Sequence, residues 1–204
     1  MNNLVVSNNA SVGGAGELRR PAESVQKSHR YLRFKIGKTL VAALDMAEVC
    51  EVLAVKPSQV TPMFNMPDHV MGLLTRRSRV VWLIDLARLL LGDSMTLLSA
   101  NGAWPKTYSV VLTRVTPPWL TELSGEPHQN VSDKGIDERA LFGLAVHHVD
   151  GSVAIESGVI QQPQGHFSAS FAPCLSGTAL QGGTLFHVLN ADAIARLSHR
   201  AARS

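Results

Sequence analysis

The chain has 204 residues, of which 45% are apolar, 17% charged and only 5% aromatic, with a net charge of +3 and a pI near 9.1. That apolar fraction supports a packed core and excludes a wholly disordered chain. A bilayer-spanning helix needs about 20 apolar residues in a row, and the best stretch, residues 80–91, is interrupted by Asp85 and Arg88. The positive charge is uneven: residues 1–92 hold 12 Lys/Arg against 7 Asp/Glu, and residues 93–204 hold 7 against 9. Clustered this way, the basic residues read as a solvated face before they read as a phosphate track.

Residues 1–29 are Asn, Ser, Gly and Ala without hydrophobic period, and read as a disordered leader. Their one apolar run, Leu4 to Val6, is too short for an export signal, so a cytoplasmic chain is expected. Cys50 and Cys174 are too few and too distant for a disulfide framework, and both read as small buried side chains. Order begins at Tyr31, where Leu32, Phe34 and Ile36 alternate with Arg33 and Lys35 as in a half-buried strand. Gly37-Lys38 turns the chain, and Leu40, Ala42 and Leu44 continue the alternation on a second strand. Asp45 is placed to cap a short helical turn holding Met46 and Val49, with residues 51–55 extended after it and Pro57 ending them.

Beyond the loop punctuated by Pro62 and Pro67, residues 70–75 and 80–84 form a hairpin whose tip carries Arg76, Arg77 and Arg79. Asp85 then caps a helix with Leu86, Leu89 and Leu90 at helical spacing, and Gly92 stops it. The second half repeats the plan. Residues 108–115 are a strand, the polar stretch 116–139 an insertion loop, and residues 141–146 and 153–155 further strands. Residues 175–181 and 184–189 make a hairpin around Gly182-Gly183, and Asn190 caps a last helix through Ala193, Ile194 and Leu197.

At an offset of 105, Gly72 falls on Gly177, the tip Arg77-Ser78 on Gly182-Gly183, and Asp85 on Asn190. Many short strands with turn signals and no βαβ alternation predict an all-β fold with short helices, built as two small barrels. The halves are expected at residues 30–92 and 106–198.

Motifs of catalysis are missing: there is no GxSxG, HExxH, GxxxxGK[ST] or EF-hand loop. His147-His148 would point to opposite faces of a strand, which disfavours a shared metal. His187 in an apolar strand reads as a satisfied histidine. Asp45, Glu48 and Glu51, spaced by three, read as a solvated helix face. Neither enzyme nor cofactor is expected. The arginine tip stands out, because Arg suits bidentate recognition of carboxylates and is enriched at interface hot spots.

The segment from Met71 to Leu86, with Gly72, Arg77 and Asp85 in register, resembles the central block of CheW-like domains, the adaptors of chemotaxis signalling. The likeness runs from about Tyr31 to Leu197, and Trp82 with Leu90-Leu91-Gly92 is similar to homologues in cyanobacterial pilus-motility and phototaxis systems. The resemblance implies two SH3-like five-stranded barrel subdomains sharing a hydrophobic centre. It also implies a non-catalytic scaffold coupling a methyl-accepting chemoreceptor-like sensor to the regulatory domain of a CheA-type histidine kinase. Partner contacts are expected at Arg77, with Arg76 and Arg79 beside it, while Gly72, Asp85 and Gly177 are structural. The family's Asn-x-Arg-Gly tip has become Thr75-Arg76-Arg77-Ser78. Serine in place of a turn glycine is costly at positive φ, so a different turn type is expected there. The rival class is a small β-barrel nucleic-acid binder, which the pI favours and the scarcity of aromatic stacking groups opposes.

Overall fold

The computed structural model describes residues 28–92, 105–116 and 139–201. The expected leader up to residue 27 and the expected insertion over residues 117–138 lie outside the described residues. β1 (Ser28–Ile36) and β2 (Leu40–Asp45) form an antiparallel hairpin with Leu32 opposite Leu44 and Phe34 opposite Ala42. β1 begins before Tyr31, because Ser28 and His29 pair with Glu156 and Ile155 of a later strand. The helical turn expected after Asp45 is a plain reverse turn. Asp45 Oδ1 accepts the Ala47 N–H at 2.9 Å, and the chain re-enters a strand at Val49.

β3 (Val49–Val55) leads through a single 3-10 turn to β4 (Val60–Thr61), β5 (Val70–Arg76) and β6 (Arg79–Asp85). Asp85 caps α1 (Leu86–Leu91) as its residue type predicts, its Oδ1 accepting the Arg88 N–H at 3.0 Å. The second series is β7 (Tyr108–Val115), β8 (Ala140–Val146), β9 (His148–Glu156), β10 (Leu175–Gln181) and β11 (Thr184–Leu189). It ends in α2 (Ala191–Ala201), where Asn190 Oδ1 accepts the Ala193 N–H at 2.7 Å. β9 starts five residues earlier than the apolar pattern indicates, because His148 and Val149, followed by the polar or turn-prone Asp150, Gly151 and Ser152, already pair with Lys35 and Phe34.

The strands make two sheets, ordered β10-β11-β2-β1-β9 and β3-β7-β8-β6-β5-β4. The pattern repeat is therefore real in the chain but does not divide the molecule. The β1–β2 hairpin leaves the first half and inserts beside β9 to β11, where β2 runs parallel to β11. The β7–β8 hairpin makes the converse move, β8 lying parallel to β6 and β7 antiparallel to β3. Halves at residues 30–92 and 106–198 do not describe the spatial units. The two halves exchange their leading hairpins, and a repeat of local pattern carries no information about which copy of a strand pairs with which. Among the described residues one sheet has the five strands expected and the other has six, the sixth being the two-residue β4.

Each sheet encloses a small cluster of its own. Val81, Leu83, Val110 and Leu112 fill one, while Tyr31, Ala43, Ile155 and Phe186 fill the other. The largest cluster lies between them and takes Phe34, Ile36 and Leu44 from one sheet, Ile84, Val111 and Leu144 from the other, and Leu86, Leu90 and Ile194 from the helices. A shared apolar centre of this kind makes the two barrels one packing unit.

Gly72 and Gly177 occupy equivalent places. Each sits where the register of its hairpin slips by one residue, and each lies against a backbone carbonyl of a short partner segment. A Cβ at Gly72, where φ is +136°, would stand 2.2 Å from the Thr61 carbonyl oxygen; at Gly177 it would meet Ile160 Cγ2 at 2.5 Å and the Gln161 oxygen at 2.8 Å. The identical glycine in an otherwise unlike repeat is thus a requirement of close backbone approach.

Candidate partner-binding site

The arginine hairpin closes with two central residues, Arg77 at φ 48° and Ser78 at φ 61°. Both in the left-handed region make this the primed two-residue turn that matches the twist of the flanking strands. The different turn type expected from the lost glycine is not adopted; strand twist prevails over the local preference of Arg and Ser. Left-handed backbone costs a residue with a Cβ about 1–2 kcal/mol. The equivalent tip of the other sheet makes its turn with Gly182 at φ 57° and Gly183 at φ 74°, free of that cost.

Arg76 and Arg79 face each other directly across β5 and β6. Arg76 is held by Glu51 of β3, its Nη2 donating to Oε1 at 2.5 Å and its Nε to Oε2 at 3.3 Å. Since β3 and β5 lie toward opposite ends of one sheet, this ion pair spans the gap across which the sheet curls. Hydrogen bonding from Arg76, with its charge and that of Arg77, holds the Glu51 carboxyl below its ordinary range. The same bond raises Arg76 above the ordinary guanidinium value. Arg77 reaches Glu51 only at 3.7 Å and keeps 77% of its side chain exposed. Among the described residues Arg79 has no ion-pair partner.

Together these groups border a pocket of about 300 Å³ whose rim carries Arg76, Arg77, Arg79 and Arg114 around Glu51, with Leu112 and Leu141 also lining it. The three tip arginines singled out in the sequence are thus brought together. The sequence did not point to Glu51 as their partner. The sequence signal for Arg114 is that it is the one charge in the apolar run 108–115. Cys50 corrects a second expectation: it is exposed and lines this pocket, because β3 is an edge strand and Cys50 falls on its open face. Cys174 is buried as expected, and burial pushes its thiol up to about 11.

The remaining candidates are dispersed. The three carboxylates expected on one helix face part company. Asp45 caps a turn, Glu48 Oε2 accepts the Ala191 N–H at the start of α2, and Glu51 takes Arg76. Burial leads the causes that push the Glu48 carboxyl up. His147 Nδ1 accepts the Gly37 N–H at 3.0 Å while His148 approaches Asp150 at 3.4 Å, so the pair divides. His187 Nδ1 lies 3.1 Å from the Val41 oxygen and its ring packs against Phe167 and Phe171.

His69 and Ser198 form a pair of the kind that activates a nucleophile, Nε2 to Oγ 3.1 Å, but both are buried. They clasp α2 to the loop before β5. Burial is the main cause holding the His69 imidazole below its ordinary value, against smaller upward pulls from Ser198 and Asp68 and a downward one from Arg88. The unfolded chain then takes up its proton first. This clasp contributes stability that is full above about pH 6.5 and is lost as pH falls through the lower folded-state value. The melting temperature of the wild type is expected to drop between about pH 6.5 and 5; that of His69→Gln should drop less over the same window, and equal slopes would contradict the assignment.

The CheW-like domain family model matches residues 30–199. The chain belongs to the CheW-like domain family. CheW-like domains are scaffolds of chemotaxis-type signalling, so the coarse role is adaptor-like. Among solved structures, the scaffolding protein TtCheW of Thermoanaerobacter tengcongensis is similar with a TM-score of 0.60 at 14% identity, over 82% of this chain and 92% of that one. At that identity the likeness establishes the fold. No curated protein matches. Among the described residues no helix is long and apolar enough to cross a membrane.

Proposed function

We propose that this chain couples a chemoreceptor-like sensor to the regulatory domain of a CheA-type histidine kinase, acting by binding alone. The observation that carries the reading is the family match across residues 30–199. The setting proposed is the cytoplasm, in a pathway governing type IV pilus motility or phototaxis. The sensor contact is placed at the arginine tip around Arg77, which is the most exposed of the paired arginines. The kinase contact is placed on apolar surface at the barrel edges. Leu180 and Leu185, facing each other near the second hairpin tip and 65% and 49% exposed, are its natural centre. The nucleic-acid reading gains no support here, since among the described residues no aromatic side chain lines the arginine pocket.

The test is co-sedimentation with receptor signalling tips and pull-down with the kinase regulatory domain. Arg77→Glu should reduce receptor co-sedimentation at least about tenfold, leave kinase pull-down intact and leave circular dichroism unchanged. Wild-type protein that captures neither partner would overturn the adaptor reading. Undiminished co-sedimentation of the variant would remove Arg77 from it.

A further inference from the structure

The molecule contains its own control for the arginine tip. The two hairpins occupy equivalent positions in two sheets of the same order, and both close with primed two-residue turns. One tip is Gln181-Gly182-Gly183-Thr184, neutral and conformationally relaxed; the other is Arg76-Arg77-Ser78-Arg79. The fold therefore does not ask for charge or for side chains at positive φ there. The arginine version places like charges directly opposite each other and sets two residues with Cβ atoms in left-handed backbone. Both features disfavour folding. Local violations that the architecture does not need are the mark of a binding surface.

We infer that the pocket at this tip is a recognition site for an acidic peptide segment, in which Glu51 acts as an internal stand-in for the incoming carboxylate. Among the described residues, four guanidinium groups border the pocket and Glu51 is its one carboxylate. Glu51 engages Arg76 in a fork and Arg77 only loosely, leaving Arg77 and Arg79 directed to an external acid. Beside them the lining offers the half-buried aliphatic side chain of Leu141, with the buried Leu112 beneath. Guanidinium groups around one accessible aliphatic side chain complement a peptide that sets acids beside aliphatic residues. A nucleic acid would call for stacking faces that this lining lacks. The inference deepens the adaptor reading, on which it rests for the natural partner, by naming the chemistry that partner presents.

The probe is a dye-labelled peptide of alternating Glu and Leu, titrated by fluorescence anisotropy against the full chain at low and moderate salt. Binding should weaken at least about tenfold with the added salt. Transplanting the relaxed tip (Arg77→Gly, Ser78→Gly and Arg79→Thr together) should abolish it while raising the melting temperature. Glu51→Gln should strengthen it several-fold by releasing Arg76 and Arg77. The inference is overturned if the wild type ignores the peptide, if the transplanted tip binds it equally, or if pyrophosphate or single-stranded DNA competes more strongly than unlabelled peptide. Receptor tips that co-sediment while the peptide fails would sink this inference and spare the adaptor reading. Peptide binding without co-sedimentation would do the reverse.

Discussion

Gly72→Val is expected to lower folding stability by at least about 3 kcal/mol, the range reached only when backbone strain and steric overlap coincide. The added Cβ would lie 2.2 Å from the Thr61 carbonyl oxygen and 3.0 Å from Pro62 Cα, and neither is the free end of a flexible side chain. Relief would require β4 to move off β5, breaking the Val60–Leu74 and Thr61–Leu73 pairing. A β-branched residue is also poorly suited to φ +136°. Gly182→Asn is the control. That position has φ 57° and nothing within 4 Å of an added Cβ, and asparagine tolerates left-handed backbone. Urea titrations followed by circular dichroism should show a large fall in midpoint for the first variant and a small one for the second. Equal midpoints would show that the close approach at Gly72 is not a constraint.

Phe34→Ala should cost about 3–5 kcal/mol, the range for removing a buried phenyl ring. Phe34 is fully buried in the centre shared by both sheets and by the two α-helices of the described residues. The more specific expectation is where the loss is felt. Because each sheet contains a hairpin from the other half of the chain, neither can unfold without releasing strands that the other half supplies. Hydrogen exchange should therefore rise together in β1–β2 and in β7–β8, although Phe34 belongs to only one of those sheets. Exchange accelerated in β1, β2 and β9 to β11 alone would mean two independently stable barrels.

The hairpins, caps and core were legible because they rest on local rules. Period-two alternation located Leu32, Phe34 and Ile36, and single residue types located the caps at Asp85 and Asn190. Turn chemistry was read less well. The sequence raised an objection to a primed turn at Arg77-Ser78, and strand twist overrode it. The start of β9 was hidden because edge pairing needs backbone and not apolar side chains, so His148 through Gly151 gave no signal. The exchange of hairpins between halves was beyond reach, since equivalent strands have equivalent patterns and either pairing buries the same faces. At the site, the arginines were conspicuous in a run of apolar letters. Glu51, 25 residues away, became their partner only when the sheet curled to bring β3 to the hairpin tip.

The exchanged hairpins also bear on synthesis. A ribosome releases β1 and β2 early, yet their neighbours β9 and β11 emerge only after residue 147, whereas every strand of the other sheet is available once β8 has been made. The nascent chain must therefore carry an apolar hairpin without its mates for most of translation. Pairings that join distant parts of a sequence are the slow ones to form. An unmated hairpin held open through elongation is the natural point at which a trigger-type chaperone would be needed.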